Sequence, residues 1–299
     1  MPPANAQRSQ VWLALSDQNT DYAKLFAEPR SWERAAKNSD VFSVGAAYVN
    51  RVERTVLAEN LSFLNRIGLK LDVGMSALPV DKKICGDGLE GMVWPGEALA
   101  TALRLKKAGA LVASFSFDLP LTNGHISTAS NACRFSIREV AARLALTMRA
   151  LRSVYPGVKF VDVEVPTGMP ASKWNEILGE WLSAIKAETG EEFSGLILDI
   201  WWEFPWQPTL QVSIDILHAR GVSVGTFVDV DRGTGVDRES FPSLAKRNAC
   251  GVIALSPSAD FVVIANWMVL GVPILPDNDE HSLTSLVNWY KSDQRCQPR

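Results

Sequence analysis

Strand-like and helix-like segments alternate almost without interruption, and this alternation leaves the chain few folds to choose from. The β-type runs are VWLALS (11–16), VFSVGAAYV (41–49), LKLDVGM (69–75), ALVASFSFD (110–118), VKFVDVEV (158–165), GLILDIWW (195–202) and VSVGTFVDV (222–230). Helical patterns stand between them: RVERTVLAENLSFLNRIG before the third, PGEALATALRLKKAG before the fourth, SIREVAARLALTMRALRSVYPG before the fifth and ASKWNEILGEWLSAIKAETG before the sixth. Several close on a glycine just ahead of the next strand, the expected helix C-terminus. Repeated βα units with short connections build a parallel sheet covered by helices. For the eighth strand, GVIALS (251–256) and FVVIANW (261–267) compete. The second leaves RESFPSLAKRNACGVIAL as a helix of normal length, and HSLTSLVNWYKS supplies the last helix. The expectation is an α/β fold, a single-domain (β/α)8 TIM barrel over residues 11–299 behind a disordered tail at 1–10. A doubly wound open sheet is the alternative, but the turn after the first strand reads DQNTD and lacks the glycine-rich GxGxxG.

Composition narrows the partners. A net charge of −3 gives no basic footprint for nucleic acid, and no apolar run approaches the ~18 residues of a membrane helix. The N-terminal MPPANAQRSQ has no hydrophobic core, so it is not an intact signal peptide; its ANA has the small-x-small form of a cleavage remnant. The four cysteines form no CxxC pair, which argues against zinc. Cys85 and Cys133 fall on adjacent loops of one barrel face, so a disulfide is expected between them, with Cys250 and Cys296 as the second pair. Such pairing suits a secreted or periplasmic protein.

Side chains alternate across a strand, so each barrel strand has an inward and a helix-facing set. In ASFSFDLP, Phe115 and Phe117 read as outward and Ser114, Ser116 and Asp118 as inward. In GLILDIWWE, Leu196, Leu198 and Ile200 read as outward and Ile197, Asp199, Trp201 and Glu203 as inward. In FVDVEVP the valines 161, 163 and 165 are assigned outward, and Asp162 and Glu164 inward; Asp72, Asp229 and Asp231 are also placed inside. Several of these acids stand at C-terminal strand ends, the face on which barrel enzymes build their sites. A single buried Asp bonded to loop amides would be structural, but a collection of carboxylates shares protons or binds a cation.

Histidine is scarce. His218 and His281 read as helix-end residues, and His125, in LTNGHIS after the fourth strand, is the one histidine near the expected site. There is no GxSxG, P-loop or HExxH. Carboxylates without histidine, set among tryptophans, suit glycoside hydrolysis, which needs one protonated and one ionised carboxyl group. Glu164 is the leading acid/base candidate, with Asp118 and Asp199 as partners and Glu203 and Asp229 as second choices. Trp94, Trp201, Trp206 and Trp267 are candidate sugar platforms, with His125 and Asn266 as further substrate contacts; Trp202 reads as packing, and Trp12, Trp174, Trp181 and Trp289 as core. The expected partner is a carbohydrate, with no cofactor and no metal. The alternatives are a carbohydrate-binding barrel without catalysis and a divalent-metal enzyme using the acid ring.

The segment DIWWEFP departs from the DxDWEYP signature of chitinase-like barrels, because Ser194 and Ile197 replace its upstream acids. The chain resembles instead a group of uncharacterised bacterial glycoside-hydrolase-like (β/α)8 barrel proteins. The shared features are VFSVGAAYV after SWERA, CGDGLEG, FDLP, CRFSIREVA, DVEVP, and VVIANWM followed by LTSLVNWY. The resemblance implies the barrel fold and an eighth strand at 261–267. Members of that group often carry an acid where Leu119 stands, so the resemblance also keeps the non-catalytic alternative open.

Overall fold

The computed structural model describes residues 9–15, 21–166, 168–230, 236–255, 259–266, 271–292 and 296. Eight parallel strands close into a barrel: β1 (Gln10–Leu15), β2 (Val41–Gly45), β3 (Lys70–Met75), β4 (Val112–Asp118), β5 (Lys159–Glu164), β6 (Gly195–Leu198), β7 (Ser223–Val228) and β8 (Phe261–Ile264). β1 completes the circle, pairing with β8 from Gln10↔Phe261 and with β2 from Trp12↔Val41. The eighth strand is the second of the two sequence candidates, and Gly251–Leu255 ends the helix Phe241–Leu255.

Helices cover the barrel because their apolar positions recur on one face. In Arg54–Arg66, Leu57, Leu61 and Leu64 are buried, and the Glu53 carboxylate caps the first turn through the amides of Thr55 and Val56. Ser136 does the same for Ile137–Val154 by accepting from the Glu139 amide. Each fully buried leucine of such a stripe contributes roughly 1.5–3 kcal/mol. No helix among the described residues is long and apolar enough to cross a membrane.

Two strands are shorter than their sequence runs. VFSVGAAYV leaves the sheet after Gly45, and Ala46–Arg51 forms a helix, the state favoured by two consecutive alanines. β6 leaves the ladder where the Asp199 amide donates to the Glu164 carbonyl at 2.9 Å. Both departures occur at the C-terminal rim and turn Ala46, Ala47 and Asp199 towards one cleft.

The core has two layers. Between sheet and helices lies the larger one, with Phe42, Phe115, Phe117, Trp174 and Trp181 among its buried rings. Inside the barrel, Trp12, Val161, Val163, Ile197, Phe227, Phe261 and Val263 pack together, with Trp12 stacked on Phe261 at 4.8 Å. Gly225 makes room for that ring, since a Cβ there would lie 2.2 Å from Phe261.

Both expected disulfides are present, Cys85–Cys133 and Cys250–Cys296.

Candidate active site

A cleft of about 850 Å³ opens at the C-terminal ends of the strands. Its floor is the inner apolar layer with Trp12, Ile197, Phe227 and Val263, together with Asp72, and its walls carry Glu90, Glu97, Asp118, Asp199 and Glu203. The exposed indole of Trp201 lines the rim and leans on Phe204, with ring centroids 5.9 Å apart. Asp118, Asp199, Glu203 and Trp201 are therefore brought together as the sequence pattern suggests.

Asp118 closes β4 and is partly buried. Burial, then the neighbouring charges of Glu90 and Asp199, push its carboxyl up to about 7. It is thus poised to hold a proton at neutral pH, whereas the Glu90 beside it stands in solvent at the rim. The next residue, Leu119, lines the cleft with its backbone in the left-handed region, at φ +49°. Its amide is tied to the Val163 carbonyl at 3.0 Å, and its carbonyl accepts the Asn123 amide at 2.9 Å. These bonds hold a conformation that costs a non-glycine residue free energy.

Below this pair, Asp72 on β3 is fully buried. Its Oδ1 accepts from Ser114 at 2.6 Å, and its Oδ2 accepts from Ser43 and Ser116, both at 2.7 Å. Burial raises its proton affinity and the three hydroxyls oppose that rise. The residue is fixed polar architecture at the cleft floor.

Glu164 is not where strand alternation was taken to put it. The β4–β5 register pairs Phe117 with Asp162 and Asp118 with Val163, so the valines face the barrel interior and the acids face the helices. Val163 and Val165 line the cleft, while the Asp162 carboxylate accepts the Trp181 indole N–H at 2.7 Å on the opposite side. The Glu164 carboxylate accepts the amides of Leu121 at 2.7 Å and Thr122 at 2.8 Å, and the Thr122 hydroxyl at 2.6 Å. Burial pushes Glu164 up to about 8 against these three donors, and Asp118 adds to the rise. Asp162, buried beside Glu164, is also raised. The physical reason for the reversal is that both faces of a barrel strand are buried, so alternation names two sets without saying which faces in. Branched residues such as valine fill barrel interiors well.

Other expected site residues are also displaced from the cleft. Asp229 is buried beyond β7 and accepts the Trp202 indole N–H at 2.9 Å. Trp206 is buried edge-on to Trp202 and packs over Gly251 of the helix Phe241–Leu255. His125 bonds the Phe135 carbonyl through Nδ1 at 2.7 Å, and Asn266 is buried just beyond β8. Trp94 is exposed beside the cleft, next to the lining residue Val93. Trp267 and Asp231 lie outside the described residues.

The sequence pattern missed Glu90, Glu97 and Trp12. Glu90 sits on a connection, where no periodicity reports direction, and Glu97 opens the helix Glu97–Lys107, ahead of its apolar stripe. Trp12 was read as core but faces inward on β1, as its Trp12↔Val263 pairing requires. Among the described residues, no group of three or more His, Cys, Asp or Glu side chains is arranged to hold a metal ion.

No family model matches the chain, and no curated protein matches it in sequence. Solved structures do match it in shape. A glycoside hydrolase family 10 endoxylanase retrieved from a sugarcane soil metagenome aligns with TM-score 0.57 and 8% identity over 87% of this chain and 86% of that one. An endo-1,4-β-xylanase from Caldicellulosiruptor owensensis aligns with TM-score 0.53 and 11% identity over 89% and 86%. A fungal β-1,4-galactanase aligns with TM-score 0.52 and 10% identity over 87% and 91%. At these identities the likeness is one of fold: the eight strands close into a barrel similar in shape to barrels of carbohydrate enzymes.

Proposed function

We propose that the protein is a glycoside hydrolase acting on a polysaccharide or oligosaccharide, with Asp118 as the protonated acid and Asp199 as its ionised partner. The observation that carries this reading is the meeting of the two carboxyl groups in one cleft under the exposed Trp201 indole. Asp118 would give its proton to the leaving glycosidic oxygen. Asp199 would act as nucleophile or as base for water, and Glu203 lies in the same wall as a second candidate for that part. Trp201 offers a flat apolar face to the C–H side of a sugar ring, leaving the hydroxyls to the surrounding carboxylates. Structural relatives supply further support in kind: one is described in complex with xylotriose. Two disulfides fit an oxidising compartment, so we place the protein outside the cytoplasm, secreted or periplasmic.

One observation favours a second reading, a carbohydrate-binding barrel without catalysis. The cleft wall next to Asp118 is apolar, formed by Leu119, Val163 and Val165. A panel of polysaccharides separates the two, scored for both new reducing ends and binding. Reducing ends that disappear in Asp118→Asn and Asp199→Asn establish hydrolysis; binding without reducing ends from any substrate establishes the second reading.

A further inference from the structure

The connection after β3 does more than join two elements. Leu78–Pro79 pairs with Met92–Val93 to make a two-stranded ribbon outside the barrel, and the residues between form a flap, 80–91, over the cleft edge. Several ties fix this flap to the loop that follows β4. The Cys85–Cys133 disulfide is one. The Gly86 amide donates to the Asn131 carbonyl at 2.6 Å, and the Asn131 side chain bonds the Asp87 carbonyl. Beside Glu90 the packing is closest. A Cβ on Gly91 would stand 2.2 Å from the Asp118 carbonyl oxygen, and Gly91 has φ +76°, so glycine is required on both counts. The Gly91 carbonyl accepts the amides of Ala77 and Leu78 at 3.0 and 2.8 Å, and the Glu90 carbonyl accepts the Asn123 side chain at 3.1 Å. The backbone that carries Glu90 is therefore in contact with the backbone that carries Asp118, and both side chains line one cleft.

We propose that Glu90 is a positioning residue acting through Asp118: the stapled flap holds its negative charge where it keeps the proton on the Asp118 carboxyl. The inference rests on the hydrolase reading of this cleft, but the charge relation does not depend on it. Two carboxylates close together do not both ionise easily, so a fixed charge on one retains the proton of the other. Of the charged groups that act on Asp118, Glu90 comes from the flap and Asp199 from the end of β6, and Glu164 feels it from the far side of β5; Asp72, Glu97 and Glu203 line the same cleft. Glu90 is the one of these delivered by an element that a disulfide secures. Burial is the largest influence on Asp118, and Glu90 precedes Asp199 among the charges. Because Glu90 stands in solvent, its influence should be screened by salt, as that of burial is not.

The test is the titration of the Asp118 carboxyl, followed by carbon NMR and assigned by its loss in Asp118→Asn. In Glu90→Gln the midpoint should fall by on the order of half a pH unit, the worth of one charge acting largely through water. Raising salt should lower the midpoint in the parent protein more than in Glu90→Gln. Cys85→Ser with Cys133→Ser, which keeps Glu90 but loosens its flap, should lower it in the same direction. On a hydrolysed substrate, the alkaline limb of kcat/KM should move with the titration. An unchanged midpoint in Glu90→Gln overturns the proposal whatever the cystine variant does. Absence of hydrolysis on every substrate would overturn the hydrolase reading and leave the titration result standing.

Discussion

β4 and β5 are neighbours with the same written pattern, apolar residues alternating with polar ones, and they face opposite ways. On β4 the large rings of Phe115 and Phe117 lie in the helix layer, and Ser114, Ser116 and Asp118 turn inward. On β5 the small Val161 and Val163 fill the interior, and Asp162 and Glu164 turn towards the helices. The hydrogen-bond donors available on each side, rather than polarity alone, decide the orientation. On the outer side the Trp181 indole and the amides of Leu121 and Thr122 donate to the two acids; on the inner side Val161 and Val163 pack with Trp12, Ile197, Phe227 and Phe261. An acid on the inner face reaches the cleft, and an acid on the outer face becomes part of the scaffold.

The largest effect expected from this difference is on activity. Asp118→Asn should lower turnover by roughly 10²–10⁴-fold, the usual worth of a general acid, with the melting temperature close to that of the parent. Glu164→Gln should show no comparable loss once the rate is corrected for the folded fraction. If Glu164→Gln loses turnover while staying folded and Asp118→Asn does not, the two strands have been assigned the wrong way round.

Next in size is a stability effect with the reverse ranking. Glu164→Ala strands two amides and a hydroxyl that the carboxylate now accepts. The expected loss is about 2–4 kcal/mol in urea unfolding, less than three full penalties because the turn after Asp118 relaxes towards water. Asp118→Ala, in the cleft, should cost far less. Equal losses at the two positions would mean that Glu164 is not a scaffold acid.

How much of this could be read in the residues follows from the same contrast. The barrel, its eighth strand and the Cys85–Cys133 disulfide were legible because periodicity and loop position report them directly, and Cys250–Cys296 followed as the remaining pair. Asp118, Asp199, Glu203 and Trp201 were legible because alternation along β4 and β6 sets them on the face opposite Phe115, Phe117 and the leucines of β6, which pack against the helices. Glu164 was not, since the valines of β5 suit either layer and only the pairing with β4 settles which. Glu90 was not, because a residue on a connection has no period; CGDGLEG carried a trace of it, in the glycine that lets Gly91 touch Asp118. Asp229 and Trp206 lie beyond strand ends, where alternation lapses and local bonds such as Trp202 to Asp229 take over.

A smaller effect, spread over pH, tests what the two faces share. Asp72 and Asp118 on the inside and Asp162 and Glu164 on the outside all have raised proton affinity, with burial as the largest cause. The folded chain therefore holds more protons than the unfolded one above the ordinary carboxylate range of about 4. Stability from these groups is fully present below that range. It is lost as pH rises to about 7 for Asp118 and about 8 for Glu164. The unfolding free energy from urea titration should fall from pH 5 to pH 8, by at most about 1.4 kcal/mol per pH unit for each group, and more gently in Glu164→Gln. A free energy that climbs over this interval would mean that these acids are ionised in the fold.

The smallest effect separates the donors that β2 and β4 supply to Asp72 on the inner face of the barrel. Ser114 is the one serine that donates to Oδ1 of Asp72, whereas Ser43 and Ser116 share Oδ2. Ser114→Ala should cost about 1–2 kcal/mol, because a fully buried carboxylate oxygen loses a charge-assisted bond and no second hydroxyl covers it. Ser43→Ala should cost about half as much, since Ser116 still serves Oδ2 and the site of Ser43 is only half-buried. Both changes shift Asp72 further towards its protonated form, so the deficit should shrink as pH is lowered and the carboxyl no longer needs donors to a charge. Equal losses that do not vary with pH would show that the serines matter to Asp72 only as packing. The inner face of β4 would then resemble the outer face of β5 less closely, with the Glu164 carboxylate alone depending on its donors.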